Sequence, residues 1–152
     1  MKKQARAFVD GSYNSATKIF GWGVLFIASN GQKYILQGSD CDNGNLRNVA
    51  GELAATVAAV EHAKRLNERS LLIFHDYEGI AKWVRGEWKA KNPTTKAYKK
   101  YILKCIESGL KVDFQHVKAH TGIAGNEIAD ILAKNACGLL DLALKTKKAL
   151  AA

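Results

Sequence analysis

The dipeptide Asn30-Gly31, set between the apolar runs of GWGVLFIASNGQKYILQGS, most constrains what this 152-residue chain can fold into. Asn-Gly tolerates the positive φ angles of a tight reversal, so apolar runs on either side of it read as the two strands of a hairpin. Residues 5 to 10, ARAFVD, alternate in character and place a further strand ahead of them, giving three antiparallel strands in succession. The hydrophobic period then changes. In GELAATVAAVEHAKRL, Leu53, Val57 and Val60 recur at spacings of four and three, which predicts an amphipathic helix from Val49 to about Leu66. Residues 71 to 76, LLIFHD, read as a short buried strand that ends in a carboxylate.

From Tyr77 to Ile106 the pattern is mostly helical, interrupted by Gly86 and by the single proline, Pro93, with Asn92 before it. Proline removes a backbone donor and disfavours helix in the residue before it, so two helices are expected here. KVDFQHV, residues 111 to 117, returns to strand alternation. After the glycine-flanked loop AHTGIAG, a last helix is expected from about Asn126, with Ile128, Ile131, Leu132 and Leu139 on its apolar side. The order β-β-β-α-β-α-α-β-α belongs to the α/β class, and its strand-helix-strand crossovers predict a mixed sheet flanked by helices. The length allows one domain with a real core, expected over residues 1–143, followed by an alanine- and lysine-rich tail, 144–152, that frays.

Lys and Arg number 23 against 14 Asp and Glu, a formal net charge of +9, and an excess of that size points to a polyanionic partner. Three cysteines, Cys41, Cys105 and Cys137, form no CxxC pair, which excludes a disulfide framework or a zinc site and fits a reducing compartment. Asp10 interrupts the N-terminal segment before any apolar region develops, and no stretch approaches the ~18 apolar residues of a membrane span. The chain reads as a soluble cytoplasmic protein, a monomer with no membrane partner.

Most of the acids fall on predicted loops or helix surfaces, but four do not. Asp10 and Asp76 each end an apolar strand, where an unpaired charge is costly to desolvate. Glu52 sits in the first turn of its predicted helix and Asp130 early in the last helix. Singly, each has an ordinary explanation, as a complement to a helix dipole or to strand-end amides. Jointly they do not. Parallel neighbouring strands that both end in Asp bring two carboxylates together at the edge of the sheet where α/β sites form. Crowded carboxylates repel one another unless a cation neutralises them, and hard oxygen donors favour Mg²⁺ or Mn²⁺ over zinc.

The segments DGSY with Asp10, NVAGELAA with Glu52, FHDYEG with Asp76 and VKAHTGIAGNEIADILAK with His120 and Asp130 resemble the four motif blocks of the type 1 ribonuclease H family, in the family's order. The resemblance runs from about residue 5 to residue 140, and its last block is the most specific. It implies a five-stranded mixed sheet whose first three strands are antiparallel. It implies endonucleolytic cleavage of the RNA strand of an RNA–DNA hybrid by two metal ions, Mg²⁺ or Mn²⁺ in its place, leaving 3′-hydroxyl and 5′-phosphate ends. By the same analogy Asp10 bridges the two ions, Glu52 and Asp76 hold one side, and Asp130 holds the other. His120, in a loop with glycines on its C-terminal side, assists proton transfer or product departure. Of the other histidines, His62 is expected on a solvated helix surface, and His75 and His116 are expected to be packed or hydrogen-bonded.

For the substrate, Asn48 matches a family asparagine that contacts the minor groove, and Ser12 lies on the same rim; a helix N-cap and a turn residue are the plain alternatives. Asn126 falls where the family has it. Between Lys82 and Lys104 stand eight basic residues, including Lys89, Lys96, Lys99 and Lys100, against one acid, Glu87. Trp83, Trp88, Tyr98 and Tyr101 are interleaved with them, which is the composition of a nucleic-acid footprint. By resemblance this is the basic handle that grips the DNA strand, and Trp83 is counted with it.

The chain also departs from the family. Glu78 stands where the family usually has glutamine, Val49 where it often has a second asparagine, and Arg47 where a small hydroxyl residue is common, which substitutes a charged phosphate contact. The interval from Asp76 to Trp83 is short, giving a compact handle, as in a bacterial subgroup whose separate hybrid-binding domain is absent from these residues. Two other readings stay open on sequence alone: a catalytically silent nucleic-acid-binding module, and a nuclease of the same fold acting on DNA junctions or ends.

Overall fold

The computed structural model describes residues 3–118 and 122–139. Five strands and four helices follow in the expected order: β1 (Ala5–Asn14), β2 (Ile19–Ile27), β3 (Lys33–Cys41), α1 (Asn48–Arg65), β4 (Ser70–His75), α2 (Gly79–Arg85), α3 (Pro93–Glu107), β5 (Lys111–His116) and α4 (Ala124–Ala136). They build one mixed sheet in the order β3-β2-β1-β4-β5. The first three strands pair antiparallel, whereas β1–β4 and β4–β5 are parallel. Asn30 and Gly31 do close the β2–β3 hairpin. The reversal is longer than a two-residue turn, with Gly31 alone of the pair at positive φ (89°) and the Ala28 N–H donating to the Gln32 carbonyl at 2.9 Å.

Turn chemistry sets the helix ends. Asn92 caps α3, its Oδ1 accepting the Thr94 N–H at 2.8 Å with Pro93 in the first helical position, and Gly86 ends α2 in the left-handed conformation. α1 begins at Asn48 without a side-chain cap. The Asp42 carboxylate instead takes the Leu46 and Arg47 N–H groups at 2.9 and 2.7 Å, and Arg47 sits at φ 57°. Glu52 therefore lies in the second turn of its helix, not the first, and Asp130 lies midway along α4. Neither position is explained by a helix N-terminal dipole, whose influence fades within one turn.

Strand alternation divides the core. Ala5, Ala7 and Val9 of β1, with Val24 and Phe26 of β2 and Leu71 and Ile73 of β4, face the layer of α1, α2 and α3. Phe8, Leu25 and Ala129 form a smaller cluster under α4, where Phe8 and Phe74 stack with centroids 4.6 Å apart. Truncating a fully buried residue such as Ile73 to alanine is expected to cost about 2–5 kcal/mol.

Two expectations fail here. α4 does not turn its isoleucines to the sheet: Ile128 and Ile131 are each 37% exposed, and the buried side is Gly125, Asn126, Ala129 and Ala133. The reason lies in the sheet. The position of a Cβ on Gly23 is taken up by the Ala129 carbonyl, so α4 sits backbone-close and leaves no depth for branched side chains. His62 is not solvated either. It is 7% exposed, packed edge-on against Phe26 and Tyr34, because β3 extends far enough to cover that side of α1.

Candidate active site

The parallel register of β1 and β4 pairs Phe8 with Phe74, and two residues further on stand Asp10 and Asp76, the latter the first residue past β4. Contrary to expectation, Asp10 does not end its strand, because β1 continues to Asn14 by antiparallel pairing with β2. Alternation keeps both carboxylates on one face, one step beyond the stacked phenyl rings. Glu52 arrives from α1. That helix approaches the middle of β1 closely because residue 11 is glycine; the place of a Cβ there is occupied by the main chain of Asn48, Gly51 and Glu52. The Gly11 N–H then donates to both acids, to Asp10 Oδ1 at 2.9 Å and to Glu52 Oε1 at 3.0 Å. One carboxylate oxygen from each of Asp10, Glu52 and Asp76 lies within 4.8 Å of the other two.

The electrostatics of this trio are unfavourable as it stands. Asp10 is 5% exposed and Glu52 2%, and Glu52 Oε2 has no hydrogen-bond partner among the described residues. Burial pushes the Asp10 carboxyl up to about 6, and the charges of Asp76 and Asp130 push the same way against hydrogen bonds from Glu52 and Gly11. Burial, and then Asp10 and Asp76, hold Glu52 well above the usual carboxylate range. The pair thus keeps a proton into a pH range where free carboxylic acids have lost theirs. Three hard oxygen donors, among them a buried Glu52 oxygen without a hydrogen-bond partner among the described residues, form a donor set suited to a divalent cation.

The fourth acid stands close by but engages a different partner. Asp130 Oδ2 accepts from Lys134 Nζ at 2.9 Å, one turn along α4. It is near enough to raise Asp10 electrostatically but is not in the close cluster. The spacing of Lys134 was a readable signal that sequence reasoning passed over. Asn126 is 4% exposed with its Oδ1 unpartnered, and Ser12 is 8% exposed on the same strand as Asp10. Arg47 and Asn48 are exposed at the start of α1. His120 lies outside the described residues, as does the tail.

The lysines gather elsewhere. Lys89, Lys96, Lys99 and Lys100 line a shallow basin of about 380 Å³ floored by Ala90 and Leu103. Trp83 does not join them. It is 9% exposed, and its ring meets Tyr77 and Trp88 with centroids 5.8 and 5.7 Å away. That places it in the packing between α2 and the loop after it, away from the lysine basin's lining. Glu78, the charge that replaces a glutamine, lies 3.4 Å from the Lys82 ammonium, so its repulsion is partly answered within the chain. Among the described residues no helix is long and apolar enough to cross a membrane.

A mixed sheet with carboxylates gathered where β4 stops pairing with β1, and a separate lysine basin elsewhere on the surface, fits a hydrolase of the α/β class suited to divalent metal and to a polyanion. Comparison with known proteins makes the class specific. Residues 2–138 match the model of the RNase H family. A ribonuclease H from Polaromonas is 30% identical over 141 residues, 86% of each chain. The N-terminal RNase H domain of a Mycobacterium tuberculosis protein, solved as a fusion with maltose-binding protein, superposes with a TM-score of 0.74 at 16% identity, over 93% of this chain and 99% of that one. A crystal structure of LC11-RNase H1 in complex with an RNA/DNA hybrid gives a TM-score of 0.70 at 17% identity, over 88% and 99%. The chain belongs to the RNase H family, as a nuclease and hydrolase.

Proposed function

We propose that the chain hydrolyses the RNA strand of RNA–DNA hybrids endonucleolytically by two-metal-ion catalysis with Mg²⁺, replaceable by Mn²⁺, leaving 3′-hydroxyl and 5′-phosphate ends. The observation that carries this reading is the trio itself: two nine-tenths-buried carboxylates and a third, brought within 4.8 Å of one another from three separate segments. The uncompensated burial is costly, and a site that keeps it needs a ligand that repays it. The matched family and the hybrid held by LC11-RNase H1 support the choice of substrate.

Asp10, Glu52, Asp76 and Asp130 would hold the ions, with Asp10 shared between them. When bound, such a pair activates a water and stabilises the leaving oxygen. The rest falls to the chain. Gly11 N–H fixes the orientation of Asp10 and Glu52 through its two hydrogen bonds. Lys134 holds Asp130 until that carboxylate is recruited. His120 acts as the loop group that moves a proton or lets product leave. Arg47 and Asn48, exposed at the start of α1, would meet the hybrid directly, and the buried Ser12 and Asn126 would serve it from beneath that rim. Lys89, Lys96, Lys99 and Lys100 take the phosphates of the DNA strand on the basin they line. Two strands of different sugar chemistry are thereby read at two places, polar groups for 2′-hydroxyls and lysines for phosphates.

The test is a side-by-side panel of labelled hybrid, duplex DNA and duplex RNA with Mg²⁺ and with Mn²⁺. Internal RNA cuts in the hybrid alone are expected. Equal cutting of duplex DNA, or full activity of Asp10→Asn, would sink the reading.

A further inference from the structure

Beneath Asp76, two strand-end histidines do something that the carboxylate chemistry does not require of them. β4 and β5 run parallel and pair His75 with His116 at their last register position, one residue before Asp76. The two imidazoles lie 5.7 Å apart between centroids. His116 Nε2 stands 2.9 Å from the main-chain carbonyl of Asp76, and His75 Nδ1 stands 2.9 Å from that of Tyr77. A carbonyl oxygen only accepts, so both ring nitrogens carry a proton and donate. Past the last β4–β5 pair the ladder continues with one bond, Val117 N–H to the His75 carbonyl at 2.8 Å. Beyond it the segment from 76 to 78, which joins β4 to α2 and carries the third carboxylate, has lost the sheet's support. The histidines supply two donors where the sheet stops doing so.

We propose that His116, backed by His75, is a positioning residue for Asp76: its hydrogen bond to the Asp76 carbonyl fixes the main chain that aims this carboxylate at Asp10 and Glu52. The inference deepens the metal-site reading above and rests on it. His75 is 1% exposed and forms the floor, whereas His116 is exposed, so it can be replaced without opening the core. Groups that orient a ligating side chain through a hydrogen bond typically change metal affinity by 10–100-fold when removed. This bond acts on the main chain, so the lower end of that range is expected.

The experiment is calorimetric titration of the metal-free full chain with Mn²⁺ alone, for wild type, His116→Ala, His116→Gln and Gln115→Ala. Glutamine can present an Nε2–H at the place of the imidazole donor, and Gln115 is the exposed neighbour on the same strand end. Expected are Mn²⁺ binding about tenfold weaker for His116→Ala, near wild-type binding for His116→Gln, and no change for Gln115→Ala. Steady-state cleavage of a hybrid should show the loss in kcat, with KM for hybrid unmoved. Wild-type affinity in His116→Ala overturns the proposal, as does a glutamine variant no better than the alanine one. Absence of Mn²⁺ binding by wild type is a different result, which takes down the metal-site reading and this inference with it.

Discussion

The acidic trio and the lysine basin are both clusters of like charge, and they are built in opposite ways. Asp10 and Glu52 are 5% and 2% exposed, fixed by one glycine N–H, and strongly perturbed in their acidity. Lys89, Lys96 and Lys100 stand in solvent on a shallow surface. Repulsion among solvated lysines is weakened by water and salt, so that cluster costs little to keep and acts at a distance. Repulsion among buried carboxylates is not screened, so the trio is costly without a cation and acts only on what enters it. Buried charge marks the chemistry; exposed charge marks affinity. The largest expected effect breaks the trio: Asp10→Asn should reduce hybrid cleavage to background while leaving hybrid binding, measured by fluorescence anisotropy, close to wild type. If cleavage and binding fell together, the two regions would not have the separate roles assigned to them.

The same substitution should make the metal-free protein more stable. Asp10 has its pKa raised from about 3.8 to about 6, so the folded state binds that proton more tightly than the unfolded chain. Stability from this group is present below pH 4 and is lost as pH rises through about 6. At about 1.4 kcal/mol per unit the loss is on the order of 3 kcal/mol. Urea unfolding in chelator should show wild type falling relative to Asp10→Asn across that window, and Mg²⁺ should restore wild type but not the variant. Parallel pH profiles would mean that the burial of Asp10 is already compensated.

The lysine side of the comparison gives a smaller effect of another kind. Replacing Lys96, Lys99 and Lys100 by alanine should weaken hybrid binding and lower the slope of log affinity against log salt by about one unit for each phosphate no longer neutralised. Rates at saturating hybrid should hold. An unchanged slope would place these side chains away from the substrate.

The element order and the hairpin could be read from the sequence because each rests on local chemistry: Asn30-Gly31, the period of Leu53, Val57 and Val60, and Asn92-Pro93. The trio was legible from two aspartates that each follow an apolar run and from a glutamate, since the register brings Asp10 level with Asp76. That β1 runs on past Asp10 to Asn14 was not, because it depends on pairing with β2. What could not be read depends on how elements are layered. The isoleucines of α4 looked like its core face until Gly23 let the helix down onto the sheet. Trp83 looked like part of a binding surface until Tyr77 and Trp88 closed around it. Lys134 beside Asp130 was visible at i+4 spacing, but only the structure shows that the fourth carboxylate is engaged by it and stands apart from the other three.

His62 sharpens the contrast from a third direction, because it is a buried titratable group with no ligand to expect. Both ring nitrogens lack partners among the described residues, and the ring lies 4.7 Å from that of Phe26 and 4.5 Å from that of Tyr34 between centroids. Burial, and then the nearby Arg65 charge, lower its pKa from the ordinary 6.5. The sign is opposite to that of Asp10: the unfolded chain takes up the proton first, so stability is present above pH 6.5 and is lost as pH falls below it. His62→Leu removes both the unpaired polar atoms and the titration, in a slot already lined by apolar rings. A gain of about 1 kcal/mol at neutral pH is expected, widening between pH 7 and pH 5, as read from urea unfolding of the two proteins side by side. Activity should not change, since His62 packs against Phe26 of β2 and Tyr34 of β3, whereas the trio comes from the middle of β1, from α1 and from the residue after β4. A gain that stays constant with pH would show that the imidazole titrates freely. A loss of activity would show that the core under β3 is coupled to the carboxylates, and the separation between buried charge for chemistry and buried charge without a task would no longer hold.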